Sequence, residues 1–294
     1  MENKYKNIKA IIPPPSPHMV GDGFRVHNFF PSNNLIGMTG MSPFFLLDYG
    51  SKWNVPPSDT PRGVGVHPHR GFETVTIAYH GSVAHNDSAG NSGVIAQGDV
   101  QWMTAGAGVL HKEYHEKEFS RKGGIFQMVQ LWVNLPAKDK MTPAKYQAIE
   151  NSMINRFLLK DNKSTVEVIA GEYNGTKGPA TTFSPVNLFN AKLKKGSDAG
   201  FSFGNKTNTG ILVIEGEVKV NMSATAPEDN FICFGNEGED ISIEAVRDSV
   251  LLILNGEPIN EPVASYGPFV MNTRDEIKQA YEDYNSGKFG YLED

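Results

Sequence analysis

Short runs of β-branched and aromatic residues recur along this chain, and glycine or proline separates one run from the next. The 294 residues include 30 glycines and 18 prolines. Many short strands with turn residues between them are typical of an all-β sandwich or barrel. The segments that we predict as strands are 44–47, 74–79, 93–96, 100–104, 127–133, 165–170, 211–220, 241–246 and 250–254.

A helix is predicted only near the end of the chain. Thr273 can cap its first turn, and Glu276 stands three residues later, which is the spacing of a capping box. Apolar residues follow at helical spacing (277, 280, 281 and 284), and Gly287 ends the pattern. The sequence therefore predicts an all-β protein with a short C-terminal helix.

The two halves of the chain resemble imperfect repeats of each other. A strand, glycine turn and strand at 77–83 resemble the segment 213–218. A Gly-acidic step opens a strand in each half, at 98–99 and 238–239, and a later hydrophobic strand closes each half with an asparagine, at 134 and 255. The interval from step to asparagine is 36 positions in the first half and 17 in the second, so the second half is predicted to lack a counterpart of 105–121. We predict two domains, 1–140 and 141–294.

Composition limits the classes of function. The net charge of −6 gives no basic surface for nucleic acid, so direct nucleic-acid binding is not expected. The single cysteine, Cys233, cannot form an intrachain disulfide and lies in an apolar run that predicts a core position. Residues 1–15 carry no apolar signal segment, and no run reaches membrane-spanning length. We expect a cytoplasmic protein without membrane association.

The histidines are the most informative polar residues. All eight lie in the first 115 positions. On a strand, residues two apart point to the same side, so His67 and His69 share a face, as do His111 and Glu113. Glu73 has the same parity as the first pair and competes with Glu113 as a fourth ligand.

Two such pairs from separate strands can enclose one metal ion with three nitrogens and one carboxylate oxygen. This ligand set suits a divalent first-row transition metal better than Mg²⁺ or Ca²⁺. One His-x-His alone is more often structural than ligating, and the argument depends on both pairs occurring in one half. His80 and His85 flank a turn and are interpreted as turn or supporting residues, and His115 as part of an exposed loop.

Long stretches of the chain closely resemble the pirin family of the cupin superfamily. The first of them, HPHRGFETVT, contains the His-x-His pair, and VLHKE contains the second pair. The resemblance covers most of the chain, and its segments are 67–76, 87–93, 98–106, 109–113, 130–136, 170–173 and 261–272.

The resemblance implies a bicupin, which is a pair of stacked antiparallel β-barrels of the jelly-roll type. It implies a metal-binding cupin barrel at 1–140 and a second barrel at 141–294 without a metal site. The family's ligands correspond to His67, His69, His111 and Glu113. Glu73 is not the usual pirin ligand, and we expect it to support the site without touching the metal.

The function implied by the resemblance is that of a quercetin 2,3-dioxygenase, which cleaves a flavonol with O₂. Glu113 would also be catalytic, because a ligand carboxylate can accept the proton of the substrate hydroxyl. The resemblance implies Fe(II) as the metal, and Ni, Cu, Co, Mn or Zn would also fit this ligand set. The alternatives are an iron- or redox-sensing protein that binds transcription or metabolic partners without turnover, and a bicupin whose metal is only structural.

Overall fold

The computed structural model describes residues 4–294, and most of them lie in β-strands. In chain order the strands are β1 (Ile8–Ile12), β2 (His18–Val20), β3 (Phe24–Phe30), β4 (Phe44–Val55), β5 (Gly63–His69), β6 (Phe72–His80), β7 (Val83–Asp87), β8 (Ser92–Ile95), β9 (Val100–Thr104), β10 (Val109–His115), β11 (Gly124–Asn134), β12 (Lys145–Ile149), β13 (Asn155–Leu158), β14 (Thr165–Ala170), β15 (Glu172–Tyr173), β16 (Thr176–Lys177), β17 (Val186–Leu193), β18 (Asp198–Ser202), β19 (Asn208–Glu215), β20 (Glu217–Val220), β21 (Ala224–Pro227), β22 (Phe231–Phe234), β23 (Asp240–Ala245), β24 (Ser249–Gly256), β25 (Ala264–Tyr266) and β26 (Phe269–Met271). The helices are α1 (Lys117–Lys122) and α2 (Arg274–Asn285), with 3₁₀ turns at Ala137–Asp139 and Asn151–Met153.

Each of the nine predicted runs lies within strand, apart from one residue at most, and several strands are longer than predicted, as β4 extends to Val55. The run 211–220 is divided between β19 and β20, because Gly216 adopts a positive φ and turns the chain. Helix α2 is also confirmed, together with its capping box. The Thr273 hydroxyl accepts a hydrogen bond from the Glu276 amide at 3.2 Å, and the Glu276 carboxylate accepts one from the Thr273 amide at 2.8 Å.

The described residues pack into two units, and each unit is assembled from separate stretches of the chain. The first, which we name the histidine-bearing unit, comprises Ser16–Pro31, Phe44–Asn151 and Ile259–Asp294 and contains all eight histidines. The second, the histidine-free unit, comprises residues 4–15, Ser32–Pro43 and Ser152–Pro258. The division into two continuous domains, 1–140 and 141–294, stays a prediction.

The histidine-bearing unit contains two antiparallel sheets. The larger has the order β12-β9-β6-β11-β4-β3-β2, and the smaller has the order β5-β10-β7-β8. Apolar side chains from both sheets meet in shared clusters, one of which contains Phe24, Val26, Ala78, Val83 and Met128. The two sheets are therefore layers around one interior.

The histidine-free unit repeats this arrangement. Its sheets have the orders β1-β22-β19-β24-β17-β14-β13 and β18-β23-β20-β21, which match those of the other unit strand for strand. A single hydrophobic cluster draws residues from both sheets, including Phe189, Phe201, Ile211, Ile243 and Ile253. Cys233 is buried on β22, as predicted.

The match corrects the predicted deletion in the second half. Strand β10, which carries His111, has a counterpart in β23, because each is the second strand of its four-stranded sheet. The alignment of the two Gly-acidic steps was therefore wrong, since 98–99 precedes β9 whereas 238–239 precedes β23. Much of the difference in length lies after these strands, where the first half contains α1.

The prediction of two closed barrels is not confirmed. Among residues 4–294, no ladder of paired strands returns to its own first strand, so each unit is described as two packed sheets. Within the same residues, neither helix is long and apolar enough to cross a membrane.

Candidate metal centre

Three histidine side chains converge where strands β5 and β10 pair. His67 lies directly opposite His111, and His69 lies opposite Val109 at the end of the ladder. The ligand atoms of His67, His69 and His111 all lie within 4.8 Å of one another. Among residues 4–294 they form the only group of three or more potential ligands that could hold a metal ion. The parity argument for the two histidines of β5 is confirmed by this arrangement.

The ring nitrogens have the orientation that a metal requires. His67 Nδ1 lies 2.8 Å from the Gly65 carbonyl oxygen, and donation to that oxygen leaves a lone pair on Nε2. This Nε2 lies only 3.0 Å from His69 Nε2. Neither ring nitrogen of His111 has a hydrogen-bond partner, although the ring is fully buried. A cation shared by these nitrogens would satisfy atoms that are otherwise costly to bury, so the three residues fit a metal.

Electrostatics keep the cluster in its ligating form. Burial lowers the pKa of His69 well below its usual value, and the neighbouring His67 and His111 lower it further. Burial and the neighbouring imidazoles of His67 and His85 act in the same direction on the pKa of His111. Both rings are therefore neutral near pH 7, and neutral imidazole is the form that binds metals.

Glu113 lies beside the three histidines but is held by its own partners. A bulge in the β5–β10 ladder between His111 and Glu113 shifts the register. One carboxylate oxygen lies 3.9 Å from His111 Nε2 and accepts a hydrogen bond from the Thr76 hydroxyl at 3.2 Å. The other accepts one from Gln130 Nε2 at 2.8 Å. These donors hold the carboxylate at the edge of the histidine cluster, and its role as a fourth ligand stays a prediction.

Glu73 does not belong to this cluster. The chain turns at Gly71, whose φ is +87°, so Glu73 lies on β6 in the larger sheet and the parity count from His69 does not apply. A Cβ at position 71 would lie 2.0 Å from the Val270 carbonyl oxygen, which excludes other residues there. The buried Glu73 carboxylate accepts a hydrogen bond from the Thr104 hydroxyl at 2.8 Å. Burial raises its pKa to about 7.

A largely apolar cavity of about 340 Å³ opens beside the cluster within the histidine-bearing unit. Its volume lies in the range of small-molecule sites. Its polar lining consists of His67, His69, Glu113, Gln130 and Asp48, and its apolar lining includes Val20, Phe24, Val26, Val64, Met128, Trp132 and Pro268.

Two further histidines lie inside the same unit. His115 is buried on β10 among Phe24, Phe119 and Phe126, so the predicted exposed loop was wrong. The charged neighbours of His115 in sequence misled that prediction, because Lys112 lies on the opposite strand face and the charged residues at 116–118 lie at the cap and first turn of α1. Burial lowers the pKa of His115 to about 4, so it is neutral.

His85 lies beside the cluster, with its ring centroid 6.2 Å from that of His111, and its supporting role stays a prediction. It lies opposite Glu113 in the β7–β10 ladder, and its Nε2 forms a short hydrogen bond with the Tyr146 hydroxyl. Gly93 packs closely against this contact, because a Cβ there would lie 3.1 Å from the His85 Nε2 atom.

Sequence reasoning missed three polar residues near the cluster: Asp48, Gln130 and Tyr146. Asp48 and Gln130 stand in runs that are otherwise apolar or aromatic, and a polar residue in a buried strand was the available signal. Tyr146 approaches His85 from an edge strand of the other sheet, and no local pattern predicts that contact.

Comparison with known protein families gives two matches. The model described as Pirin matches residues 23–133, and the model described as Pirin C-terminal cupin domain matches residues 188–290. A Pseudomonas aeruginosa protein with the name "Putative quercetin 2,3-dioxygenase" is 44% identical over 284 residues, which are 97% of this chain and 98% of that one. A pirin-like protein of Solanum lycopersicum is 39% identical over 258 residues, 86% of this chain and 84% of that protein.

Solved structures show the same similarity. The crystal structure of a quercetin 2,3-dioxygenase from Acinetobacter baumannii matches with a TM-score of 0.92 and 50% identity, over 98% of this chain and 100% of that one. The Escherichia coli bacterial pirin YhhW, crystallised in complex with nickel(II), matches with a TM-score of 0.62 and 20% identity over 85% and 100% of the two chains. The second similarity supports the fold alone.

Proposed function

The chain belongs to the pirin family, and from that premise we propose that it is a metal-dependent dioxygenase that cleaves a flavonol such as quercetin with O₂. The observation that carries this proposal is that two members of the three-histidine cluster, His67 and His69, line an apolar cavity together with Glu113. The names of the relatives in Pseudomonas aeruginosa and Acinetobacter baumannii support the same activity.

His67, His69 and His111 would hold one metal ion through nitrogen, and Glu113 would complete the set through oxygen. Fe(II) is our first choice, and Ni, Cu, Co, Mn and Zn are compatible with the same ligands. When bound, a redox-active metal of this series supplies Lewis-acid and one-electron chemistry for a reaction with O₂.

The protein's own contribution begins with Glu113. Its carboxylate faces the cavity and can accept the proton of a substrate hydroxyl, which converts a flavonol into the more reactive anion. The hydrogen bonds from Thr76 and Gln130 fix the position of both carboxylate oxygens. The apolar cavity wall orients a flat aromatic substrate, with Trp132 and Phe24 among the contacts, and excludes water from the reacting atoms.

Aerobic turnover of quercetin tests the proposal. Protein loaded separately with iron, nickel, copper, cobalt or manganese is mixed with quercetin, and the loss of flavonol absorbance is followed. We expect turnover with at least one metal and its loss in Glu113→Ala, because that variant lacks the proton acceptor. Glu244→Ala, a change on an exposed face of the histidine-free unit, is the matched control and should retain full activity. Absence of turnover with all five metals would overturn the quercetinase assignment.

A further inference from the structure

Asp48 places a second carboxylate in the cavity wall, on β4 and outside the histidine cluster. The residue is 8% exposed, and Oδ1 accepts a hydrogen bond from Asn28 Nδ2 at 2.7 Å. Among residues 4–294 the one hydrogen-bond donor to this carboxylate is Asn28, and the Asp48 side chain lines the cavity. Burial raises the pKa of Asp48, which is the expected response of a carboxylate that has lost water.

The position of Asp48 relative to Glu113 follows from the strand register. Asp48 lies directly opposite Gln130 in the β4–β11 ladder, and Gln130 donates to the Glu113 carboxylate. Residues opposite each other in a ladder have Cβ atoms about 5 Å apart. Asp48 therefore lies on the strand next to the one that carries Gln130, and Asp48 and Glu113 line the same cavity.

The rest of the lining near Asp48 is hydrocarbon and aromatic, including Phe24, Val26, Met128 and Trp132. A carboxylate with a single donor keeps further acceptor capacity, and a ligand hydroxyl that enters the cavity can use it. The apolar surroundings favour a flat aromatic ring as the carrier of that hydroxyl.

We propose that Asp48 accepts a hydrogen bond from a phenolic hydroxyl of the substrate, at a position remote from the oxygens that face the metal centre. This inference rests on the proposed function and narrows the substrate class to polyhydroxylated aromatics. A ligand with the same rings but no remote hydroxyl makes no hydrogen bond to Asp48 and binds more weakly. A hydrogen bond to a charged group corresponds to a difference of about 10- to 100-fold in affinity.

The test compares two flavonols in protein loaded with Zn²⁺, whose lack of redox chemistry allows binding to be measured without turnover. Quercetin carries hydroxyls on both ring systems, and 3-hydroxyflavone carries only the enolic one. Isothermal titration gives the Kd of each. We expect the wild type to bind quercetin about 10- to 100-fold more tightly. Asp48→Leu should bring the ratio close to one by weakening quercetin alone.

Two further variants keep the test decisive. Met128→Leu changes the same cavity wall with little change in volume and should retain the wild-type ratio. Asp48→Asn is isosteric and offers only a neutral, weaker acceptor, so it should lower the ratio even if the leucine variant fails to fold. Equal Kd values in the wild type, or equal weakening of both ligands by Asp48→Leu and Asp48→Asn, would overturn the inference.

The outcomes separate the two proposals. Selective binding of quercetin with no aerobic turnover would support the role of Asp48 and contradict the proposed dioxygenase activity. Turnover of quercetin, without tighter binding of quercetin than of 3-hydroxyflavone, would contradict only the proposed role of Asp48. Failure of the wild type to bind either flavonol would overturn both.

Discussion

The two units of this protein have the same order of strands but differ in the polarity of one inward-facing row of side chains. In each, one row of directly paired residues crosses the seven-stranded sheet and faces inward. In the histidine-bearing unit this row consists of Gln101, Thr76, Gln130, Asp48 and Asn28. In the histidine-free unit a row across the corresponding strands consists of Ile232, Ile211, Ile253, Phe189 and Val168.

The four-stranded sheets differ in the same way. The strand pair β5 and β10 presents His67, His69 and His111, whereas the corresponding pair β18 and β23 presents Phe201 and Ile243. The backbone ladder is compatible with either set of side chains, because strand pairing uses main-chain groups. The comparison teaches that one topology can build a hydrophobic core or a polar site, and that the choice lies in the inward-facing residues.

We expect the largest effect on metal affinity, which should depend on the inward-facing residues of the histidine-bearing unit and not on those of the histidine-free unit. His111→Ala removes one of three converging imidazoles, and we expect metal affinity to fall at least about 100-fold, since even outer partners of ligands are worth 10- to 100-fold. Metal analysis after dialysis against a chelator measures this. Ile243→Ala, on the corresponding strand, should retain one metal per chain. Equal metal loss in both variants would mean that the centre depends on general stability.

Unfolding should show the reverse asymmetry. Ile253→Ala opens a cavity in the hydrophobic cluster and should lower the free energy of unfolding by about 2–5 kcal/mol. Gln101→Leu makes the polar row more apolar and removes an amide whose oxygen and nitrogen have no hydrogen-bond partner. Its effect should stay below about 1 kcal/mol or be stabilising. Urea titration compares them, and a large loss in Gln101→Leu would show that the polar row carries stability.

The two units also bury carboxylates differently, and pH reveals the difference. Glu73 has a pKa raised from 4.5 to about 7, so the unfolded chain loses this proton before the folded protein does. The buried carboxyl group therefore destabilises the folded protein increasingly as pH rises from about 4.5 to 7. Above pH 7 this destabilisation has reached its full size and stays constant. Glu73→Gln should raise the free energy of unfolding by up to about 3 kcal/mol at pH 8, and by almost nothing at pH 4.

The matched residue is Glu167 in the histidine-free unit. Arg156 and Lys192 approach its buried carboxylate at 3.0 and 2.8 Å. Glu167→Gln should therefore be destabilising at pH 8, opposite in sign to Glu73→Gln. Urea unfolding of metal-free protein at both pH values compares the variants, and a stabilisation by Glu73→Gln that does not depend on pH would contradict the argument.

Glu73 also marks the limit of what the sequence can predict. The strands and α2 were predictable because hydrophobic runs, turn residues and capping residues are local signals. The placement of His67 and His69 on the same face of β5 was predictable from strand parity, which holds only within one strand. Glu73 lies beyond the turn at Gly71, and the burial of His115 depends on aromatic residues from other elements. Such contacts are set by packing between sheets, which no local pattern encodes.

A smaller effect concerns the polar row itself. Gln130 donates to Glu113, so Gln130→Met frees one carboxylate oxygen without touching a histidine. We expect metal affinity to fall about 10- to 100-fold, which is typical of lost outer partners of a metal centre. Gln101→Leu, in the same row but without a bond to Glu113, is the control and should leave the affinity unchanged. Competition with a fluorescent chelator measures both, and an unchanged affinity in Gln130→Met would argue against Glu113 as a ligand.

The smallest effect tests whether the end of the chain belongs to the histidine-bearing unit. Thr273→Ala removes the hydroxyl that caps α2 and should cost about 1 kcal/mol, whereas Thr273→Ser keeps the hydroxyl and should cost less. All three tryptophans (53, 102 and 132) lie in that unit, so their fluorescence during urea unfolding reports on it alone. A loss of about 1 kcal/mol in the free energy of unfolding reported by this signal would show that α2 stabilises the histidine-bearing unit. If the fluorescence transition were unchanged and the loss visible only by circular dichroism, α2 would not contribute to the stability of that unit. The C-terminal segment would then have to be left out of the comparison of the two units.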